Sequence, residues 1–189
     1  MFRTPLRLLG TAAALALVAP NVRAQYSPDR ATGLEVRREF LKDLDSLHSK
    51  FTQLAGAFPA DKYSWRPAPG VRSVGEVFMH VASEYYFYTP AVWGAKPSPL
   101  LEPKKESFEK FEKMSSKPEV LKHLKEGFAF GRQAVASLED EKVTGIHKVF
   151  NHDSQAIEMA FDMTDDLHEH LGQLIAYARM NGVKPPWTK

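Results

Sequence analysis

Two pairs of side chains, each four residues apart, carry the chemistry of this sequence. His80 and Glu84 form one pair, Asp166 and His170 the other. On a helix, positions i and i+4 stack on one face about 6 Å apart, so each pair presents an imidazole beside a carboxylate. Two such pairs on neighbouring helices can converge on one divalent ion, with nitrogen and oxygen as ligands. Asp162 extends the second row by one turn. At about 100° per residue, His80 and His170 each fall roughly 110° to one side of their helix's apolar stripe. Asp166 lies further round, so both pairs flank a core, as a groove site requires. The bland alternative for Asp166 and His170 is an exposed helix pair, since such spacings are common. Glu84 and Asp162 rest on spacing alone and are expected on a solvated face. Of the other histidines, His168 projects near the middle of the apolar stripe and is expected to be a hydrogen-bonded core residue. His48, His123, His147 and His152 are expected to be solvated or ordinary packing residues.

The elements that must position these residues are helices. Across residues 32–57, Leu34, Phe40, Leu41, Leu44, Leu47, Phe51 and Leu54 recur at three- and four-residue steps. Pro59, Pro67 and Pro69 then mark a loop. Ser73 and Glu76 have capping-box spacing, and Val74, Val77, Phe78, Val81 and Tyr85 continue one face of a second helix to about residue 88. Residues 90–103 read as loop, and 107–113 as a short amphipathic turn. Ser116 with Pro118 predicts the N-cap and first turn of a third helix reaching about residue 138. Residues 139–153 read as polar and irregular, with Val149 and Phe150 able to pack on the body. A last helix over about 154–181 ends at Gly182 and Pro185-Pro186. Four main helices and no alternating strand pattern predict an all-α fold, an antiparallel four-helix bundle with long connections.

Composition limits the rest. The 189 residues suit one domain with a core that needs no staples. No cysteine is present, which excludes a disulfide framework, a thiolate metal site and a cysteine nucleophile. The first 24 residues carry Arg3 and Arg7, then the apolar run LLGTAAALALVAP, then Val22-Arg23-Ala24. This is the pattern of a secretory signal peptide cleaved after Ala24, with an uncleaved anchor as the alternative. The domain then occupies residues 25–189 of an exported chain, periplasmic or secreted, with no membrane span after cleavage. Formal charge is +2, but removing residues 1–24 takes away three arginines and no acid, leaving −1. Such a balance gives no hint of a nucleic-acid partner.

The segments Tyr63-Ser64-Trp65-Arg66-Pro67, Ser73-Val74-Gly75-Glu76-Val77-Phe78-Met79-His80-Val81 and Glu169-His170-Leu171-Gly172-Gln173-Leu174, with Tyr177 and the ending Asn181-Gly182-Val183-Lys184-Pro185-Pro186, resemble the DinB/YfiT-like superfamily. The likeness spans nearly all of residues 25–189. It implies a four-helix bundle whose members commonly bind nickel or zinc through three histidines, one on the second helix and an H-x-x-x-H pair on the last. His80 and His170 match two of those positions, and Asp166 stands at the third. Aspartate is a competent ligand that shifts preference towards harder ions such as Mn. The resemblance implies a metal site of His80, Asp166 and His170 holding a divalent ion (Zn, Ni or Mn), and it also suggests a homodimer.

It also implies chemistry on an unknown small-molecule substrate, by a metal-dependent hydrolase or a thiol-dependent S-transferase. Export leans the reading from transferase towards hydrolase or a binding role, because reduced low-molecular-weight thiols are scarce in most envelopes. Glu84 or Asp162 could then orient a ligand or act as a base. A non-catalytic envelope binding or stress-associated protein with a degenerate site is the competing expectation. Tyr85, Tyr86, Phe87, Tyr88 and Trp93 could line a ligand pocket, although aromatics at helical spacing are more often core. Trp65 is expected to plug one end of the bundle.

Overall fold

The computed structural model describes residues 28–149 and 152–188. The expected signal peptide, residues 1–24, and Phe150 lie outside the described residues. Helix α1 (Arg30–Ala57) begins where the Asp29 side chain accepts from the Thr32 amide at 2.8 Å, satisfying a first-turn donor that has no carbonyl partner. Its stripe of Phe40, Leu44, Leu47, Phe51 and Leu54 is buried, while Leu34 and Leu41 sit at the margin.

Helix α2 (Val74–Tyr86) opens with the Ser73–Glu76 capping box closed in both directions. Every α2 position except Glu76 and His80 is buried. The sequence predicts one helix to about residue 88, but α2 stops at Tyr86 and a separate turn, α3 (Tyr88–Ala91), follows. The cause is Pro90. It has no amide for the carbonyl four residues back, and its ring excludes that carbonyl from the helix. That carbonyl, of Tyr86, instead accepts from the Ser98 amide at 2.9 Å.

The segment expected to be a short turn is an eight-residue helix, α4 (Lys105–Glu112), which packs on α2 and buries Phe111. Helix α5 (Lys117–Ala136) carries Pro118 in its first turn. Ser116 stands at the cap position, but its side chain does not bond to a first-turn amide. Helices α2 and α5 approach so closely that a Cβ on Gly131 would lie 2.3 Å from the Tyr85 carbonyl oxygen.

Between α5 and the last helix the expectation of irregular chain is corrected. Strands β1 (Ile146–Val149) and β2 (His152–Gln155) pair antiparallel, with Val149 opposite His152. Among the described residues of these two strands only Val149 is buried. Strands with solvent on both faces carry no apolar alternation, so the pattern that marks a strand is missing. Helix α6 (Ala156–Met180) therefore starts after Ser154, which belongs to β2. Its end is a Schellman turn: Gly182 takes φ +70°, and the Val183 and Gly182 amides donate to Ala178 and Arg179 carbonyls at 2.8 and 3.1 Å.

The four long helices form a ring in which α1 and α2 each pack against both α5 and α6. The fold is the predicted all-α four-helix bundle, with α4 and the hairpin as additions. Among the described residues no helix is long and apolar enough to cross a membrane. Trp65, half-buried, packs edge-on against Tyr177 at the bundle's end.

Candidate metal centre

Because α2 and α6 are neighbours, the two rows of side chains meet. His80 and Glu84 come from α2, Asp166 and His170 from α6, and one ligand atom from each lies within 4.8 Å of the others. One point therefore lies within about 3 Å of all four, and metal–ligand distances of 2.0–2.2 Å need only a small contraction. The Glu84 Oε1 is the hub. It stands 3.2 Å from His80 Nε2 and 3.8 Å from His170 Nε2, while Asp166 Oδ2 is 3.6 Å from the same His170 nitrogen. The two imidazoles meet edge to face with ring centres 4.7 Å apart.

Each imidazole turns its other nitrogen to a fixed acceptor. His80 Nδ1 lies 2.7 Å from Glu112 Oε1 at the end of α4. A carboxylate only accepts, so Nδ1 carries a proton and Nε2 is the atom offered to the cluster. His170 Nδ1 lies 3.2 Å from Gln173 Oε1. Gln173 donates its amide to the Tyr177 hydroxyl at 3.0 Å, which fixes which end of the amide is oxygen. The circuit closes through Arg72. Its guanidinium grips both Glu112 oxygens at 2.8 and 3.0 Å, and its backbone carbonyl accepts from Tyr177 at 3.3 Å. Imidazole ligands held in this way have a set tautomer and orientation before any ion arrives.

The electrostatics separate a dry carboxyl from a wet one. Glu84 is 2% exposed, and burial drives its pKa up to about 8; the neighbouring His80 pulls it back and Asp166 pushes it further up. The side chain of Asp166 is 47% exposed. The adjacent Glu84 carboxyl holds its pKa below the usual value against the effect of burial, helped by the charges of His170 and His80. Burial opposes charge on His80, but hydrogen bonds to Glu112 and Glu84 outweigh it and raise the pKa to about 9. His170 is lowered, first by burial and then by the charge of His80. Glu112 is lowered: its bonds to His80 and Arg72 exceed the cost of burial.

Glu84 is thus corrected from an expected solvated residue to a buried member of the cluster. Its Oε2 has no hydrogen-bond partner, an expensive state for a buried carboxyl that a bound cation relieves. Two imidazole nitrogens and two carboxylates suit a divalent ion of borderline to hard character. Glu112, Gln173, Arg72 and Tyr177 were not predicted from the sequence. Gln173 alone had a local signal, three residues after His170.

A cavity of about 390 Å³ opens beside the cluster. It is lined by His80, Glu84, Asp162 and Asp166 together with Tyr88, Val92, Val149, Met159 and Met163. Asp162 is exposed, as its spacing suggested. Of the five aromatics considered for a pocket only Tyr88 lines this one. Tyr85 and Trp93 are fully buried, and Tyr86 and Phe87 belong to the core.

The remaining histidines separate by burial. His168 is not a core residue; it is exposed and bonds Asp43 on α1 at 3.0 Å. The inward row of α6 is Met163, Leu167, Leu171 and Leu174, and His168 lies on its α1-facing edge. His123 is buried beside Tyr86 and Phe111. His48 stacks on Phe128 with ring centres 3.8 Å apart. His147 and His152 lie on the hairpin.

Residues 43–177 match the family model of the DinB superfamily. Two solved structures share the fold. A DinB-like protein of Bacillus cereus ATCC 10987 is 15% identical, aligns over 79% of this chain and 95% of its own, and gives a TM-score of 0.62. A DinB-like protein of Bacillus subtilis is 16% identical, aligns over 77% and 93%, and gives 0.60. At these identities the likeness is one of fold, and function has to be argued from the site. No curated protein matches the chain.

Proposed function

This chain belongs to the DinB superfamily, and from that premise we propose that it is an exported metalloprotein whose single divalent ion serves hydrolysis of a small molecule. The observation that carries the reading is the convergence of His80 Nε2, His170 Nε2, Asp166 and the buried Glu84, whose Oε2 lacks a partner. His80, Asp166 and His170 hold the ion in this reading, and Glu84 is a fourth ligand. Zinc, nickel and manganese all fit two imidazoles and two carboxylates. When bound, such an ion supplies Lewis-acid chemistry, lowering the pKa of water and polarising an oxygen of the substrate.

The protein's own residues set the conditions for that chemistry. Glu112 and Gln173 keep both imidazoles turned so that Nε2 faces inward. Val92, Met159 and Met163 give the cavity apolar surface beside the cluster. Asp166, partly open to solvent, lines the cavity together with His80 and Glu84. Hydrolysis is preferred to thiol transfer because export removes the chain from the reduced low-molecular-weight thiol pool.

Metal analysis of protein purified without a histidine tag tests this reading. One equivalent of zinc, nickel or manganese, lost in both His80→Ala and His170→Ala, is the expected result. Metal-free protein whose stability does not respond to any of these ions sinks it, and leaves a non-catalytic binding protein. Export is tested separately, by whether the mature chain begins at Gln25 when its N-terminus is read by mass spectrometry.

A further inference from the structure

The cavity beside the cluster has a charge character that selects its occupant. Its polar side is made of His80 and three acids, Glu84, Asp162 and Asp166, and none of the described residues lining it is a lysine or arginine. Arg72, whose charge reaches Glu84 and Asp166, is held by both oxygens of Glu112 and lines a different cavity. Val92, Val149, Met159 and Met163 add an apolar lining. A nearly buried carboxyl with an unpartnered oxygen, Glu84, lines the same space, so this is a built cavity rather than a solvated acidic face.

Charge counting then isolates one residue. Glu84 and Asp166 together match the charge of a divalent ion. Asp162 is left over, one helical turn before Asp166 and about 6 Å from it. Among the described residues no cation is paired with Asp162. We propose that the cavity takes an organic cation: a small apolar molecule bearing a protonated amine, with its body against Val92, Met159 and Met163 and its ammonium at Asp162. At Asp162 a ligand that carries carboxylates of its own meets like charge, which disfavours the acidic low-molecular-weight thiols there. The proposal deepens the metal reading and rests on it for the charge balance, although Asp162 and the apolar lining are present without an ion.

Three probes of one shape test it: 3-phenylpropylamine, 3-phenylpropanol and 3-phenylpropionate, titrated calorimetrically into the full chain with its metal content measured. The amine is expected to bind about tenfold more tightly than the alcohol, as a charge-assisted hydrogen bond contributes, with the carboxylate weakest. Asp162→Asn is expected to erase the amine's advantage while leaving the alcohol's affinity and the metal content unchanged. Equal or tighter binding of the carboxylate overturns the proposal, as does an amine preference that survives Asp162→Asn or a failure of all three probes to bind. A metal-free protein that still prefers the amine through Asp162 upholds the proposal while the metal reading fails. One equivalent of metal without charge preference has the reverse meaning.

Discussion

His80 Nδ1 and Glu112 Oε1 stand 2.7 Å apart although thirty-two positions separate them in the chain. This bond ties an imidazole of α2 to the last residue of α4, and through Arg72, Tyr177 and Gln173 the same circuit reaches His170 on α6. Both candidate imidazole ligands are therefore oriented by one connected set of hydrogen bonds. Glu112→Ala is expected to weaken divalent-metal binding about 10- to 100-fold, the usual effect of removing the partner of a ligating histidine. Glu112→Gln keeps an acceptor for Nδ1 and is expected to lose less. Calorimetric titration with zinc checks both, and equal affinities in all three proteins would show that Glu112 does not orient the site.

Glu84 gives effects of opposite sign in the two states. In the metal-free fold its buried carboxyl is a cost, seen in its raised pKa and orphaned Oε2. Glu84→Gln removes the ionisable group from that environment, so thermal stability without metal is expected to hold or rise. With metal, wild type at a thousand times its Kd gains about 4 kcal/mol by mass action. The variant, short of a ligand, is expected to gain clearly less under the same concentrations. Thermal melts of both proteins with and without zinc read this directly; a variant that gains as much as wild type removes Glu84 from the ligand set.

What could be read in the sequence follows from what is local. His80 with Glu84 and Asp166 with His170 are one helical turn apart, and the period of the flanking apolar residues placed them beside the core. Glu112 and Arg72 reach the site only through packing of α4 on α2, and nothing near either residue in the chain announces it. Periodicity puts Glu84 on a solvated face because it defines one buried face, whereas α2 is covered on nearly all sides. The break at Phe87 was legible in principle, since Pro90 forbids the Tyr86 carbonyl its helical partner. The hairpin was not, because β1 and β2 bury only Val149.

Two glycines separate packing from propensity. At Gly131 an added Cβ meets the Tyr85 carbonyl oxygen at 2.3 Å, and the backbone there cannot swing away as a side chain could. Gly131→Ala is expected to destabilise by about 1–3 kcal/mol through overpacking of α5 on α2. At Gly172 on α6 nothing lies within 4 Å of the built Cβ. Gly172→Ala is expected to stabilise by about 0.5–1 kcal/mol, because alanine restricts the unfolded chain and favours the helix. Urea midpoints of the pair decide the matter. Shifts in the same direction would contradict the close approach of α2 and α5.

His48 supplies a pH dependence that is separate from the metal cluster. Its ring stacks on Phe128 of α5 and lies 5.9 Å, centre to centre, from Tyr85 of α2. Nδ1 has no partner, and Nε2 has only the Thr52 hydroxyl at 3.4 Å. Burial lowers its pKa to about 4, and the carboxylate of Asp45 opposes this without reversing it. A folded pKa below the unfolded value of about 6.5 means that the unfolded chain takes up the proton first on acidification. His48 therefore costs the fold nothing above pH 6.5, and its destabilising effect grows as pH falls from about 6.5 to about 4. In His48→Leu that component is absent. Urea unfolding at pH 7.5 and pH 5 is expected to show a larger loss of midpoint for wild type than for the variant. Because the carboxylates titrate alike in both proteins, the difference isolates His48, and parallel losses would mean that the imidazole charges in place without penalty.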